Sequence, residues 1–119
     1  MPLFAAPMFL ISGPDLVVAA CKAGIIGAFP TPNCRTTGDL EDWLAEIDRR
    51  LSDPQDPNRS SYAPYAANLV VHSTNERLPA DLDIVVRYQA PIVVTALGSP
   101  ARVVDDVHSY GGIVLADVN

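Results

Sequence analysis

Pro91-Ile92-Val93-Val94-Thr95-Ala96, the turn Leu97-Gly98-Ser99-Pro100 and, further on, Gly111-Gly112-Ile113-Val114-Leu115-Ala116-Asp117 together read as strand, helix and strand. Both strands are apolar without polar alternation, the pattern of strands buried on both faces of a parallel sheet. Between them Ser99 is placed to cap and Pro100 to take the first helical position. Val103, Val104 and Val107 form one apolar stripe, and the two glycines stop the helix. A helix joining two such strands is the crossover of a parallel pair.

The same unit repeats upstream. The third strand is Tyr65-Ala66-Ala67-Asn68-Leu69-Val70-Val71, with a helix starting near Pro79 and packing through Leu82, Val85 and Val86. The second is Ile25-Ile26-Gly27-Ala28-Phe29, followed by a turn rich in Pro30, Pro32 and Asn33. Thr36 with Asp39 then forms a capping box. Leu40, Trp43, Leu44, Ile47 and Leu51 follow it at helical spacing, the clearest amphipathic helix in the chain. The first unit opens with Leu3-Phe4-Ala5-Ala6-Pro7-Met8. Its helix is expected to use Ser12 as cap and Asp15 to complete a capping box, to pack through Leu16, Ala19, Ala20 and Ala23, and to end at Gly24. Residues 52–64, with Pro54, Pro57 and Pro64, read as a loop leading back into a strand.

Five strands thus alternate with four helices in one domain, residues 1–119. The expected fold class is α/β: parallel (β/α) units forming the first part of a TIM barrel, truncated before closure, since a complete barrel takes about 250 residues. An open doubly wound sheet satisfies the same alternation. The first turn carries no G-x-G-x-x-G loop and no Walker sequence appears. Periodicity does not choose between the two.

The 119 residues are 49% hydrophobic, enough to bury a core, and carry a formal net charge of -6. An acidic chain without a basic cluster repels phosphate backbones, so nucleic acid is not an expected partner. No run approaches the ~20 apolar residues of a membrane span. Pro7 interrupts the apolar N-terminus, and no basic residue precedes it, so a secretory signal is not expected. Cys21 and Cys34 fit neither a zinc motif nor a disulfide framework, which points to reduced thiols and a cytoplasmic location.

The segments that choose a family are Ala6-Pro7-Met8 before Ser12-Gly13-Pro14, Ala20-Cys21-Lys22-Ala23-Gly24, Asn68-Leu69-Val70-Val71-His72 running into Asn75, and Thr95-Ala96-Leu97-Gly98. In combination, and colinearly over essentially the whole chain, they resemble the nitronate monooxygenases, also called 2-nitropropane dioxygenases. These are FMN-dependent (β/α)₈ barrels of well over twice this length. The resemblance implies FMN at the C-terminal ends of the strands. Ala6, Pro7 and Met8 would lay main-chain atoms beside the flavin ring, Asn68 would offer its amide to the ring's polar edge, and Thr95 and Gly98 would line the next strand end. On its own chemistry, each position has another reading. Pro7 can end an edge strand, Asn68 can bond internally, and Thr95 can be an ordinary β-branched strand residue. His72 is expected to be held locally and His108 to lie in solvent. Asp117 either lines the pocket or pairs locally.

The family's catalytic base is a histidine in a glycine-rich turn after the sixth strand, and its phosphate loops follow the seventh and eighth. Neither His72 nor His108 lies in such a motif, so no catalytic residue and no metal ligand is assigned. The implied activity is oxidation of a nitronate or nitroalkane with molecular oxygen. An FMN-dependent NAD(P)H:quinone or enoyl-thioester reductase is the alternative within the fold. Outside it stands a non-catalytic barrel fragment that self-associates through its open edges, a possible homo-oligomer. The isolated chain is expected to hold FMN weakly or not at all.

Overall fold

A computed structural model describes residues 1–118. The strands are β1 (Phe4–Ala5), β2 (Ile26–Pro30), β3 (Tyr65–Val70), β4 (Ile92–Ala96) and β5 (Ile113–Ala116). The helices are α1 (Pro14–Lys22), α2 (Thr37–Leu51), α3 (Leu78–Arg87) and α4 (Val104–His108). The strands form one sheet in the order β1-β2-β3-β4-β5, and every neighbouring pair is parallel. A doubly wound sheet would reverse its strand order at a switch point. Here each crossover steps the same way, so right-handed connections stack the helices on one face. This is the arrangement of consecutive (β/α) barrel units. Among the described residues, the outer edges of β1 and β5 pair with no strand.

Register separates two faces. Phe29, Ala67 and Val93 stand in one row, with Leu69 and Thr95 in the row above. Phe29, Ala67, Leu69 and Val93 join Val17, Leu40, Leu44, Ile47, Val85 and Val107 in the main core beneath the helices. The rings of Phe29 and Trp43 meet edge to face at 5.5 Å, locking β2 to α2. The opposite face carries Ala28, Ala66 and Ile92, flanked by Ile26 and Val94. It corresponds to the interior of a barrel, and Ile113 and Leu115 stand exposed at its β5 margin.

The α2 expectation matches in detail. Asp39 N–H donates to Thr36 Oγ1 at 3.0 Å, and Thr36 N–H to the Asp39 carboxylate at 3.1 Å. Gly24 (φ 83°) and Gly111 (φ 84°) end α1 and α4 in the left-handed region. Other local expectations require correction. The N-cap of α1 is Gly13 and no side chain caps it, because Ser12 Oγ instead accepts the Met8 N–H at 2.8 Å. The buried stripe of α1 is Val17, Val18 and Cys21. Leu16 and Ala19 face outward, since α1 is rolled to bring its β-branched side chains onto the sheet. Ser99 caps the 3₁₀ turn Pro100–Arg102, and α4 follows it.

The first strand is two residues long where six apolar residues suggested more. Ile26 N–H donates to Leu3 C=O at 2.9 Å. Main-chain groups alternate sides along a strand, so positions 5 and 7 also face β2, and Pro7 has no N–H to give it. The ladder stops there, and residues 6–8 leave the sheet at its C-terminal end.

Candidate functional site

Parallel strands in a barrel present their C-terminal ends as the ligand-facing rim. That rim is built here by the turns after β1, β2, β3 and β4. At its β1 corner, Ala6 and Met8 are exposed and Pro7 is half-buried. Met8 C=O accepts from the N–H groups of Ile11 and Ser12 at 3.2 and 3.0 Å. The turn exposes Phe9, Leu10 and Ile11, and Leu10 holds φ 64°.

Asn33, in the 3₁₀ turn Thr31–Asn33 after β2, reaches across to this turn. Its Nδ2 donates to Met8 C=O at 3.1 Å and to Ser12 C=O at 2.8 Å, and its Oδ1 accepts the Leu10 N–H at 2.7 Å. A left-handed leucine costs roughly 1–2 kcal/mol; these bonds hold it in place. Leu97, after β4, is a second exposed left-handed leucine (φ 62°) on the same rim. Strained non-glycine residues of this kind persist only where the surroundings over-determine them.

Asn68 lies in register with Pro30 and Val94, so its amide belongs to the interior face beside Ala28 and Ala66. It is 8% exposed. Its Nδ2 donates to Val94 C=O at 3.0 Å. Among the described residues, Oδ1 accepts no hydrogen bond, so the amide is anchored at one end and has an acceptor to spare. Ala28 and Ala66 project little beside it, and Pro30 and Val94 flank the amide on the same face.

Thr95 is fully buried and pairs in register with Leu69. Its side chain is therefore on the helix face, opposite to Asn68, and its hydroxyl donates a long 3.5 Å bond to Leu115 C=O. The sequence reading grouped Thr95 with Met8 and Asn68 on one rim. Strand parity separates them: 68 aligns with 94, and 95 points the other way. Gly98 sits on the rim, but a Cβ there would meet Val71 Cγ2 at 3.2 Å and Val71 C=O at 3.3 Å. Its smallness is accounted for by packing of the β4 turn on the end of β3. Thus Ala6 and Met8 are exposed at the rim, and Asn68 keeps one unused acceptor on the interior face, whereas the Thr95 side chain lies on the helix face.

His72 is exposed, with Nδ1 2.8 Å from Thr74 Oγ1. His108 is exposed at the end of α4. Asn75 fixes the turn after β3, donating to Val70 C=O at 2.7 Å and accepting the Arg77 N–H at 3.2 Å. Arg77 Nη1 donates to Cys34 C=O at 2.7 Å, and Nη2 to Asp81 at 3.1 Å. Asp81 is buried, and burial raises its carboxyl pKa despite the opposing guanidinium. Burial likewise pushes the Cys34 thiol up to about 12, against the pull of Arg77. Neither cysteine is a candidate nucleophile, since a reactive thiol needs a lowered pKa. Among the described residues no cluster of three His, Cys, Asp or Glu side chains is placed to hold a metal ion. No described helix is long and apolar enough to cross a membrane.

Sequence reasoning missed Asn33 and the Arg77–Asp81 pair. Asn33 sits in a Pro-rich turn, where asparagine is expected for local reasons alone. Asp81 carried a signal: it falls three residues from both Leu78 and Ile84 on the buried stripe, with an arginine four residues before it.

No family model matches the sequence, and no curated protein matches it. Among solved structures the chain is similar to FabK from Thermotoga maritima, with a TM-score of 0.79 and 18% identity, over 98% of this chain and 33% of that one. A point mutant of the same protein gives a TM-score of 0.79 at 18% identity, over 98% of this chain and 35% of that one. The chain therefore spans about a third of the length of these structures. At this identity the likeness establishes the fold: α/β, a run of parallel (β/α) units that forms part of a TIM barrel.

Proposed function

We propose that these five strands form the flavin-facing part of an FMN-dependent oxidoreductase that oxidises nitronates with molecular oxygen. The observation that carries the reading is the spare Oδ1 of Asn68 on the interior face of β3, together with the exposed Ala6 and Met8 beyond the C-terminal end of β1. When bound, FMN would accept electrons from the substrate and pass them to oxygen. Ala6, Pro7 and Met8 would bound one side of the ring with main-chain atoms, and Pro7 offers no competing donor. Asn68 would accept from an N–H on the ring's edge while Val94 C=O holds its amide in plane. Gly98, packed on Val71, would set how closely the β4 turn approaches. His72, turned to Thr74, is not assigned as the base.

A second reading, left open by the sequence resemblance within the same fold, is an FMN-dependent reductase of quinones or enoyl thioesters. In it the same rim would serve a reductase that takes electrons from NAD(P)H. Turnover of a nitronate in air against oxidation of NADH with an enoyl thioester separates the two. The cofactor reading is tested by titrating ¹⁵N-labelled protein with FMN to millimolar concentration, which registers weak binding. The expected shifts fall on the amides of Ala6, Met8, Asn68 and Gly98. Absence of shifts there, or shifts confined to the helices, refutes the reading.

A further inference from the structure

We propose that Asn33 is a positioning residue for the flavin, acting through the β1 turn; the inference rests on the FMN reading above. Asn33 itself lies after β2, yet both ends of its amide are spent on a different segment. It bonds Met8 C=O, Leu10 N–H and Ser12 C=O, across 21 to 25 positions of sequence. Ser12 Oγ closes the same knot by accepting the Met8 N–H. Met8 is thus held on both its main-chain groups, and the left-handed Leu10 on its N–H. Residues 6–8 have left the β2 ladder at Pro7, so the sheet does not fix their path. The side chains of Asn33 and Ser12 do. An amide suits this task because it donates twice and accepts once in one plane. Aspartate keeps the shape and the acceptor, but it loses both donors and sets a carboxylate against two carbonyl oxygens.

The test uses Asn33→Ala and Asn33→Asp in the full 119-residue chain, each read by amide hydrogen exchange and by FMN titration. Both variants are expected to speed exchange of the Ser12 and Ile11 N–H groups about tenfold or more while the β3 and β4 amides keep their protection. Both are expected to weaken FMN about tenfold, and Asn33→Asp, despite its matched size, is expected to be no better than Asn33→Ala. A merely structural role would lower global protection and leave the FMN dissociation constant of the folded fraction unchanged. Should Asn33→Ala fail to fold, Asn33→Asp provides the same comparison. Unchanged FMN affinity in a variant with a loosened turn overturns the proposal, as does unchanged turn exchange. If the parent protein itself shows no FMN shifts, the functional reading falls, and with it the flavin role of Asn33; the exchange data then report only the turn clamp.

Discussion

At Gly27 the β2 backbone lies directly against the α1 backbone, which yields a sharp stability prediction for Gly27→Ala. A Cβ built there would lie 2.5 Å from Val17 C=O and 2.9 Å from Val17 Cα. Ordinary contact begins near 3.4 Å, so α1 must back away from β2 by about 0.9 Å or the strand must bend. The obstructing atoms are helix backbone and cannot turn aside as a flexible side chain would. Overpacking of a close-packed core costs roughly 1–3 kcal/mol, and this geometry belongs at the upper end. Against it, replacing glycine restricts the unfolded chain and returns about 0.4–1 kcal/mol. The net loss is about 2 kcal/mol, which for a domain of this size lowers Tm by roughly 6–12 °C. Circular dichroism melts of the parent and Gly27→Ala proteins, with urea titrations for the free energy, measure it. A variant melting within 2 °C of the parent would show that α1 and β2 are not in backbone contact, and the packing described here would be wrong.

Two further outcomes follow. Burial raises the Asp81 carboxyl pKa above its unfolded value, so the folded protein holds that proton longer. The carboxyl's contribution to stability is then full below the unfolded pKa and is lost as pH rises through the folded one. Asp81→Asn keeps an acceptor for Arg77 and abolishes this dependence, so relative to the parent it should be less stable at pH 3 than at pH 7. Urea titrations at both pH values check it, and the opposite trend would mean that the Arg77 guanidinium outweighs burial. Separately, among the described residues the outer edges of β1 and β5 pair with no strand, and with the exposed Phe4, Ile113 and Leu115 they favour self-association. Light scattering is expected to give at least twice the 12.7 kDa chain mass, and a single-chain mass would count against it.

Much of the architecture could be read from local chemistry. The Thr36–Asp39 capping box and the Leu40–Leu51 stripe define α2 without reference to anything outside it, because capping and amphipathicity are properties of one helix. The apolar strands separated by helices required a parallel sheet, since two buried faces leave no room for polar alternation. Local sequence was less informative at the edges. Ser12 has the spacing of a helix cap, but its hydroxyl was claimed by Met8, a competition that depends on where the β1 turn lies.

Three features were decided by tertiary structure alone. Strand order distinguishes the barrel arrangement from a doubly wound sheet, and order is a relation between segments that no single segment encodes. The facing of Thr95 depends on its register with Leu69; a shift of one residue would have put it beside Asn68. Asn33 meets Met8, Leu10 and Ser12 only because β1 and β2 are neighbours, which brings the turns after them together. The sequence by itself determined which segments are helices and strands and which residues are apolar enough to be buried. The fold determined which polar side chains share a rim, because hydrogen bonds between turns far apart in the chain form only after the sheet has aligned its strand ends.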